Sequence, residues 1–419
     1  LTVTDSSFSY NDSGANGGAF AFEPSTVNSW DLQISESSFQ SNSAVGDGGG
    51  LYVDKGQEIT LDTLWFDANT ADQGGGLYIG GSDEVNVVRC DVHNNVATSS
   101  GGGAVESGTL SQGSWTNNAF TENSADLGGA LYLEKTASVE LTNNTLLAND
   151  ATTSGAHVYL AQGTMELVNN VLAYGVDGGG VWCDATGATS DLFYNAVYQN
   201  AGDHYVGDCV DPTGSSGNIE DDPTLKSYSI DSDASNDDLH LDLLSPCIDA
   251  GHPAITDVDG TRSDIGVYGG PEATVSDEDG DGWYDTVDCD DGDSSINPGA
   301  TEVPYDGIDQ DCDGLDLTDV DGDGYEGGSG SDCDDEDEAV HPGATELWYD
   351  GVDQDCDGWS DYDADLDYYD DQRYGGTDCN DEDPAQNPSA TEIWYDGVDQ
   401  DCDAWSDYDA DTDGFDSDS

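Results

Sequence analysis

Apolar and polar residues alternate through the first half of the chain, but only in runs of three to five positions, as in Leu32-Gln33-Ile34 and Val139-Glu140-Leu141. A period of two is typical of β-strands, whereas an amphipathic helix would place apolar residues every three or four positions over a longer stretch. Glycine-rich segments separate many of these runs. The pattern therefore predicts many short strands joined by tight corners.

Two motifs recur in step with these strands. One is a Gly-Gly-small segment followed by apolar residues, whose third position falls at residues 19, 50, 76, 103, 130, 156 and 180. The other is an apolar residue, two spacers and an asparagine, with the asparagines at 11, 42, 69, 95, 123, 149 and 200, and Gly175 in place of one of them. A unit of about 26 residues cannot bury the apolar faces of its strands alone, so the units must stack.

An all-β parallel β-helix over residues 1–273, in which each unit forms one of about eight coils, satisfies both motifs. Glycine suits the corners because it adopts positive φ angles without strain. The asparagine column is predicted to form a ladder of side-chain hydrogen bonds. The alternative, a β-sandwich, would show hairpin turns roughly every 8–12 residues, a regular pattern that the sequence lacks.

The two motifs resemble the polymorphic outer-membrane protein repeats of bacterial autotransporters and adhesins. The segment from Ser245 to Gly266 is similar to the terminal segment of secreted right-handed β-helix proteins. The resemblance implies the right-handed form and a secreted or cell-surface setting. Within this segment, Arg262 is predicted to form a structural ion pair with Asp257, Asp259 or Asp264.

The composition changes near residue 274. Residues 274–419 contain 51 acidic residues and one basic residue, and the whole chain has 91 acidic against 6 basic residues, a net charge of -85. Such a surface repels nucleic acids and anionic membranes, so cations are the expected partners. The sequence also has no apolar run long enough to span a membrane.

Three aspartate-rich repeats and part of a fourth follow one another at 277–314, 319–358, 363–404 and 409–419. In the first repeat, aspartates occupy positions 1, 3, 5, 9 and 12 of a twelve-residue loop, with Gly282 at position 6 and the carbonyl of Trp283 at position 7. This is the ligand pattern of an EF-hand loop. No helix-forming segments flank the loops, so we expect an extended array with little regular secondary structure.

The predicted metal ligands are the acidic residues of these loops and of the two cysteine-containing runs in each repeat, with two aromatic residues supplying carbonyls. In the first repeat they are Asp277, Asp279, Asp281, Trp283, Asp285, Asp288, Asp290, Asp291, Glu302, Asp309, Asp311 and Asp313. In the second they are Asp319, Asp321, Asp323, Tyr325, Asp332, Asp334, Asp335, Glu346, Asp353, Asp355 and Asp357. In the third and fourth they are Asp363, Asp365, Asp367, Asp378, Asp381, Glu392, Asp399, Asp401, Asp403, Asp409, Asp411 and Asp413.

Calcium is the predicted ion, because a dense set of carboxylates suits Ca²⁺ better than Mg²⁺, and soft metals prefer imidazole or thiolate. Glu302, Glu346 and Glu392 are expected to contribute to a second cation site in each repeat. The alternative is that the acidity serves only solubility or halophilic adaptation, which explains the charge but not the repeated spacing.

Six of the ten cysteines recur 23 residues apart, as Cys289 and Cys312, Cys333 and Cys356, and Cys379 and Cys402. Disulfides within each repeat are the simplest pairing, and they indicate an oxidising compartment outside the cytoplasm. Cys183 and Cys209 are one coil apart and form a fourth predicted bond. Cys90 and Cys247 are several coils apart, too far to pair. Thiol ligation of zinc is the alternative, but the usual CxxC spacing is absent.

The repeats closely resemble MopE-like metal-binding repeats and, more loosely, thrombospondin type 3 repeats. The resemblance implies extracellular, metal-binding and often adhesion-linked modules. Some MopE-like relatives are connected with copper. Calcium is preferred here because this half of the chain has a single histidine, His341.

The leading hypothesis is a calcium-rigidified extracellular structural or adhesive surface protein with a cell-surface or glycan receptor, and not an enzyme. It would self-associate into fibres or a surface layer when Ca²⁺ neutralises its charge, because the strand at Leu1 has no polar cap before it. The alternative is that upstream coils cover this edge, and a chain that starts and stops within repeats favours a longer parent. One alternative is a polysaccharide lyase or hydrolase on the β-helix. The basic residues that a lyase would need do not recur at coil spacing. The other alternative is an extracellular store of calcium or copper.

Overall fold

The computed structural model describes residues 1–24, 30–108, 112–136, 138–184, 188–209, 212, 214–328, 330–410, 414 and 416. By backbone proximity the chain forms two compact units, Leu1–Pro298 and Gly299–Ser419. The described strands all lie in the first unit. The boundary falls inside the first aspartate-rich repeat.

The first unit is a β-solenoid with three parallel sheets of 14, 8 and 6 strands. The first sheet contains Thr2–Thr4, Ser7–Ser9, Leu32–Gln40, Glu58–Asp67, Glu84–Val88, Asp91–His93, Gln112–Thr116, Ala119–Thr121, Ser138–Thr142, Thr145–Leu147, Gly163–Val168, Val171–Ala173, Ala188–Phe193 and Ala196–Tyr198. The second contains Phe20–Phe22, Leu51–Asp54, Leu77–Gly80, Ala104–Ser107, Leu131–Glu134, Val158–Leu160, Val181–Cys183 and Tyr205–Gly207. The third contains Asp12–Ser13, Ser43–Ala44, Thr70–Gln73, Val96–Ser100, Ser124–Leu127 and Asp150–Ser154.

Six coils contribute strands to all three sheets, and two more add strands to the first and second sheets within the described residues. Equivalent residues of successive coils lie side by side, so that Phe39 pairs with Phe66 and Leu77 with Leu51. Apolar residues of the alternating runs in the inner coils, such as Ile34 and Leu141, point inward and are buried. The predicted parallel β-helix is confirmed.

The glycine motif is needed where adjacent coils approach most closely. Gly48 has a φ angle of 67°. A Cβ atom on the next residue, Gly49, would lie 2.1 Å from the carbonyl oxygen of Gly75 in the following coil. Side chains are therefore excluded at this corner, which explains why the motif recurs once per coil.

The predicted asparagine ladder is present. The backbone N–H and the side-chain Nδ2 of Asn69 both donate to Oδ1 of Asn95, at 2.9 Å each, and Asn95 donates in the same way to Asn123. A second ladder, which was not predicted, runs through Asn118, Asn144, Asn170, Asn195 and Asn218. The two ladders satisfy buried backbone groups at two corners of the solenoid.

The end of the first unit folds back onto the solenoid. It contains a 3-10 helix at Ala234–Asn236 and the antiparallel strands Leu225–Ser227 and Asp238–Leu241. Asn117 donates from Nδ2 to the carbonyls of Val267 and Gly269, at 2.7 and 2.6 Å. The segment that follows the last coils is thereby held by side chains of earlier coils.

The predicted ion pair of Arg262 is wrong. Its guanidinium instead donates to the backbone carbonyls of Gly251, at 2.6 Å, and Ala250, at 3.0 Å, and lies over the ring of Tyr194. The carboxylate of Asp257 is used elsewhere, because it accepts the backbone N–H of Asp264 at 2.8 Å. Backbone groups of the returning segment thus compete successfully for both partners.

The predicted Cys183–Cys209 disulfide is present, with an S–S distance of 2.00 Å, and it joins adjacent coils. Cys90 and Cys247 are buried free thiols. The second unit contains one 3-10 helix, Gln372–Tyr374, among its described residues. No helix in the described part of the chain is long and apolar enough to cross a membrane.

His157 replaces the asparagine that the ladder lacks at Gly175. Its fully buried ring lies between Asn149 Nδ2, 3.3 Å from Nδ1, and Asn200 Oδ1, 2.7 Å from Nε2. Because Nδ1 faces a donor, the neutral ring protonated at Nε2 fits this site. Burial lowers the pKa of His157 to about 4.

Since the folded-state pKa lies below the ordinary value of about 6.5, the unfolded chain binds more protons between these two values. Stability is therefore expected to fall by about 3 kcal/mol as the pH drops from 6.5 to 4. His157→Gln should remove this part of the pH dependence. Urea unfolding of both proteins across this range measures the difference, and parallel stability curves would contradict the assignment.

Candidate metal-binding repeats

The first loop of each repeat is shaped by its own aspartates. Gly280 N–H donates to Asp277 Oδ1 at 2.7 Å, Asp281 N–H to Asp279 Oδ1 at 3.1 Å, and Trp283 N–H to Asp281 Oδ1 at 2.8 Å. Oxygen atoms of these three aspartates lie within 4.8 Å of one another. The alternating aspartates therefore converge as predicted from their spacing.

The second and third repeats repeat this arrangement. Asp319 accepts from Gly322 and Gly324, and Asp321 accepts from Asp323, at 2.8 to 3.1 Å. Asp363 accepts from Asp367 and Tyr368 at 3.0 and 2.8 Å. The third loop thus closes on Asp363 although Tyr368 stands where glycine is expected.

An aspartate before the first cysteine of each repeat closes the loop from the other side. Asp288, Asp332 and Asp378 each accept one backbone N–H two residues ahead, at 2.8 to 2.9 Å. Asp288 and Asp378 are almost completely buried, with exposures of 1% and 0%. Three residues beyond these aspartates, Asp291, Asp335 and Asp381 accept N–H groups of the first loops. Each first loop is thus faced by two further carboxylates.

One oxygen in most of these carboxylates is bonded to the backbone, while another is buried with no hydrogen-bond partner in the described structure. The residues with such oxygens are Asp279, Asp288, Asp321, Asp323, Asp332, Asp335, Asp365, Asp367 and Asp378. Buried acceptors without donors are costly. A bound cation would satisfy them.

The raised pKa values of these carboxylates also favour a bound cation. Burial and then the neighbouring carboxylates of Asp367, Asp378, Asp381 and Asp363 raise the pKa of Asp365 to about 6. Burial also raises the pKa of Asp279, Asp288, Asp321, Asp378 and Asp381. Each group of carboxylates therefore destabilises its own ionised form until an opposite charge enters.

Asp285, predicted as the ligand at position 9, has other partners. Its Oδ1 accepts the N–H of Ser276 at 3.0 Å, and its Oδ2 lies 3.5 Å from His240 Nε2. In the structure this side chain therefore links the loop to the returning segment of the first unit. Ligation through the carbonyls of Trp283 and Tyr325, and by Asp290 and Asp334, remains a prediction.

A second loop in each repeat reproduces the geometry of the first. Asp309 accepts from Asp313 N–H at 3.1 Å and Gly314 N–H at 2.8 Å, as Asp353 accepts from Asp357 and Gly358 in the next repeat. In the third repeat Asp399 accepts from Ala404.

A glutamate accompanies each second loop. Glu302 accepts from Asp311 N–H at 2.8 Å, and oxygens of Glu302, Asp309 and Asp311 lie within 4.8 Å of one another. Glu346 and Glu392 accept from the glutamines at 354 and 400, both at 3.0 Å. Glu346 and Glu392 each also have one buried oxygen without a hydrogen-bond partner in the described structure. The remaining predicted ligands, Asp355, Asp357, Asp401 and Asp403, belong to these loops.

Disulfides link the two cysteine-containing runs of a repeat. The structure pairs Cys333 with Cys356 and Cys379 with Cys402, with Cα–Cα distances of 5.7 and 5.5 Å. The same pairing is predicted for Cys289 and Cys312, which fall in different compact units. In the fourth repeat Asp409 accepts from Gly414 N–H at 2.7 Å, whereas Asp411 and Asp413 lie outside the described residues.

The solenoid has its own cluster of polar groups. A cleft of about 220 Å³ is lined by Arg89, Asp91, Asn117, Asp237 and Tyr268, among others. Burial raises the pKa of Asp91 to about 6. The local sequence does not single out Asp91, because nothing in it shows that the returning segment lies over this residue.

Comparison with protein families found a matching family model in each half of the chain. Residues 26–219 match a family model described as a right-handed β-helix region, which confirms the predicted handedness. Residues 288–316, 332–361 and 378–407 match the MopE family model, described as a "Putative metal-binding motif". Each matched segment begins at the aspartate before the first cysteine and includes the second loop. No curated protein and no solved structure gave a match.

Proposed function

We propose that this chain, a right-handed β-helix region followed by MopE-like metal-binding repeats, is an extracellular structural or adhesive protein whose repeats bind Ca²⁺. The observation that carries the proposal is the convergence of carboxylates that each keep one buried oxygen without a partner in the described residues. Three carboxylates within about 5 Å repel one another by about 3 kcal/mol per pair at an effective dielectric constant of about 20. A bound divalent cation reverses this repulsion.

The donor chemistry favours calcium over copper. All donors in the loops are oxygens, and Ca²⁺ takes six to eight oxygen ligands, whereas copper prefers nitrogen or sulfur. The cysteines at 333, 356, 379 and 402 are consumed in disulfides. The single histidine of this half, His341, stacks on Tyr325 with ring centroids 5.0 Å apart.

The disulfides and the solenoid support the extracellular structural role in this proposal. Disulfides persist in oxidising compartments, and solenoids present extended binding surfaces. The net charge of -85 opposes contact between copies. The proposed self-association into fibres or a surface layer therefore requires Ca²⁺.

Isothermal titration calorimetry of the intact, oxidised protein tests the calcium sites. Two loops in each of three complete repeats predict uptake of about six Ca²⁺ ions. Asp321→Asn combined with Asp323→Asn should weaken binding at the second repeat's first loop by about 10–100-fold, because both lose a charged ligand.

The matched control is Glu336→Gln, which removes a charge from an exposed residue in the same repeat and should leave the titration unchanged. Absence of Ca²⁺ uptake at millimolar concentration would reject the calcium assignment. Tight uptake of Cu⁺ or Cu²⁺ in its place would favour the copper store.

A further inference from the structure

A tyrosine of the second repeat reaches into the first loop of the third. The hydroxyl of Tyr349 donates to Asp381 Oδ2 at 2.6 Å, across 32 positions of the chain. Asp381 is only 2% exposed. A short hydrogen bond to a buried carboxylate fixes the orientation of that carboxylate.

Asp381 belongs to the carboxylate cluster of the third repeat. Both of its oxygens are 3.2 Å from the backbone N–H of Ala364, inside the first loop. Its charge also acts on Asp365, whose two oxygens are buried without partners in the described structure. Tyr349 therefore lies immediately behind a carboxylate that faces the proposed ion.

The backbone of Tyr349 lies in the segment between Glu346 and the second loop of its own repeat. It lies three residues after Glu346, the glutamate of that loop. The N–H groups of Tyr349 and Gly351 donate to the two oxygens of Asp361, at 2.8 and 2.6 Å. Asp361 comes just before Asp363, which begins the third repeat. The second loop of one repeat and the first loop of the next thus share a tyrosine and an aspartate.

The preceding pair of repeats brings the equivalent residues near one another. A Cβ atom placed on Gly327 would lie 2.5 Å from the hydroxyl of Tyr305 and 2.4 Å from Cβ of Asp335. Tyr305 and Asp335 occupy the positions of Tyr349 and Asp381 one repeat earlier. The two side chains therefore both lie next to Gly327, whereas the tyrosine-to-aspartate hydrogen bond itself is formed by Tyr349.

We propose that Tyr349 couples the two sites, so that an ion in the first loop of the third repeat raises the Ca²⁺ affinity of the second repeat's Glu346 loop. This inference rests on the proposed calcium function. An ion bound near Asp381 holds this carboxylate, the carboxylate holds the tyrosine, and the tyrosine orders the turn next to Glu346. By linkage, the coupling acts equally in the reverse direction.

A double-mutant cycle on the full chain tests the coupling. Asp365→Asn disables the first loop of the third repeat, and hydrogen-exchange mass spectrometry during a Ca²⁺ titration reports separate midpoints for peptides covering 346–358 and 363–381. With Tyr349 present, Asp365→Asn should raise the midpoint of the 346–358 peptide by about fivefold or more. In the Tyr349→Phe background the same substitution should leave that midpoint unchanged.

Tyr374→Phe is the control, because Tyr374 stacks on Tyr349 with ring centroids 5.0 Å apart, and the substitution removes a hydroxyl from the same aromatic cluster while keeping the ring. It should preserve the coupling. Ca²⁺-dependent protection without any effect of Asp365→Asn on the 346–358 peptide would overturn the coupling alone. No Ca²⁺-dependent protection in either peptide would overturn the calcium function itself.

Discussion

Removal of Ca²⁺ from the intact protein with a chelator is expected to raise the amide exchange rates of residues 319–404 about 100-fold, while the strands of the solenoid keep their protection. Ligand present at about 100 times its dissociation constant stabilises the bound form by about 2.7 kcal/mol per site, which corresponds to that factor. Apart from its disulfides and hydrogen bonds, the second unit has almost no apolar core, because Val340 is its single buried apolar side chain among the described residues. Hydrogen-exchange mass spectrometry with and without chelator measures the effect.

Sodium chloride at matched ionic strength separates ion binding from charge screening. Exposed charges are largely screened at a distance of about 10 Å in 0.1 M salt, so screening alone would relieve part of the repulsion. Only Ca²⁺ should restore protection to the loops. Equal protection in chelator and in Ca²⁺ would show that the disulfides suffice to order the repeats.

Replacement of Asn95 by alanine in the buried asparagine ladder is expected to destabilise the solenoid by about 3–5 kcal/mol. The substitution leaves the backbone N–H of Asn69 and the carbonyls of Phe66 and His93 without the side chain that bonds them, at 2.8 to 2.9 Å. Each unsatisfied buried group costs about 1–3 kcal/mol. Chemical unfolding followed by circular dichroism measures the loss.

Asn11 is the matched control, since it occupies the same column in the first coil but is exposed. Its side chain donates to Asn42 at 2.8 Å and to the carbonyl of Ser9 at 3.2 Å. Asn11→Ala should cost about 1 kcal/mol or less, because water can replace these bonds. Similar losses in both variants would mean that burial does not set the strength of the ladder.

The solenoid was predictable because its signals repeat. The glycine motif and the asparagine motif each recur in nearly every coil. At each corner, a single residue type satisfies the backbone geometry. The second ladder had a comparable signal in the Asn-Asn pairs at 117, 143 and 169, whose second members join it. A single asparagine in a polar corner does not by itself indicate a ladder, so this second column was not predicted.

Long-range partners could not be predicted in the same way. The spacing of the aspartates correctly predicted that the loops converge, since the loop itself brings them together. It could not show that Asp285 turns toward Ser276 and His240, or that Arg262 binds carbonyls of the returning segment. These contacts depend on how distant segments pack, and the local sequence does not indicate them.

The scarcity of buried apolar surface in the second unit has a calorimetric consequence. Exposure of apolar surface on unfolding raises the heat capacity, and exposure of polar surface lowers it. The described residues of this unit bury many carboxylates but only one large apolar side chain. The unit should therefore unfold with a heat-capacity change near zero. Its stability would then fall almost linearly with rising temperature, without a cold-denaturation branch, and bound ions would shift the temperature at which the repeats lose order.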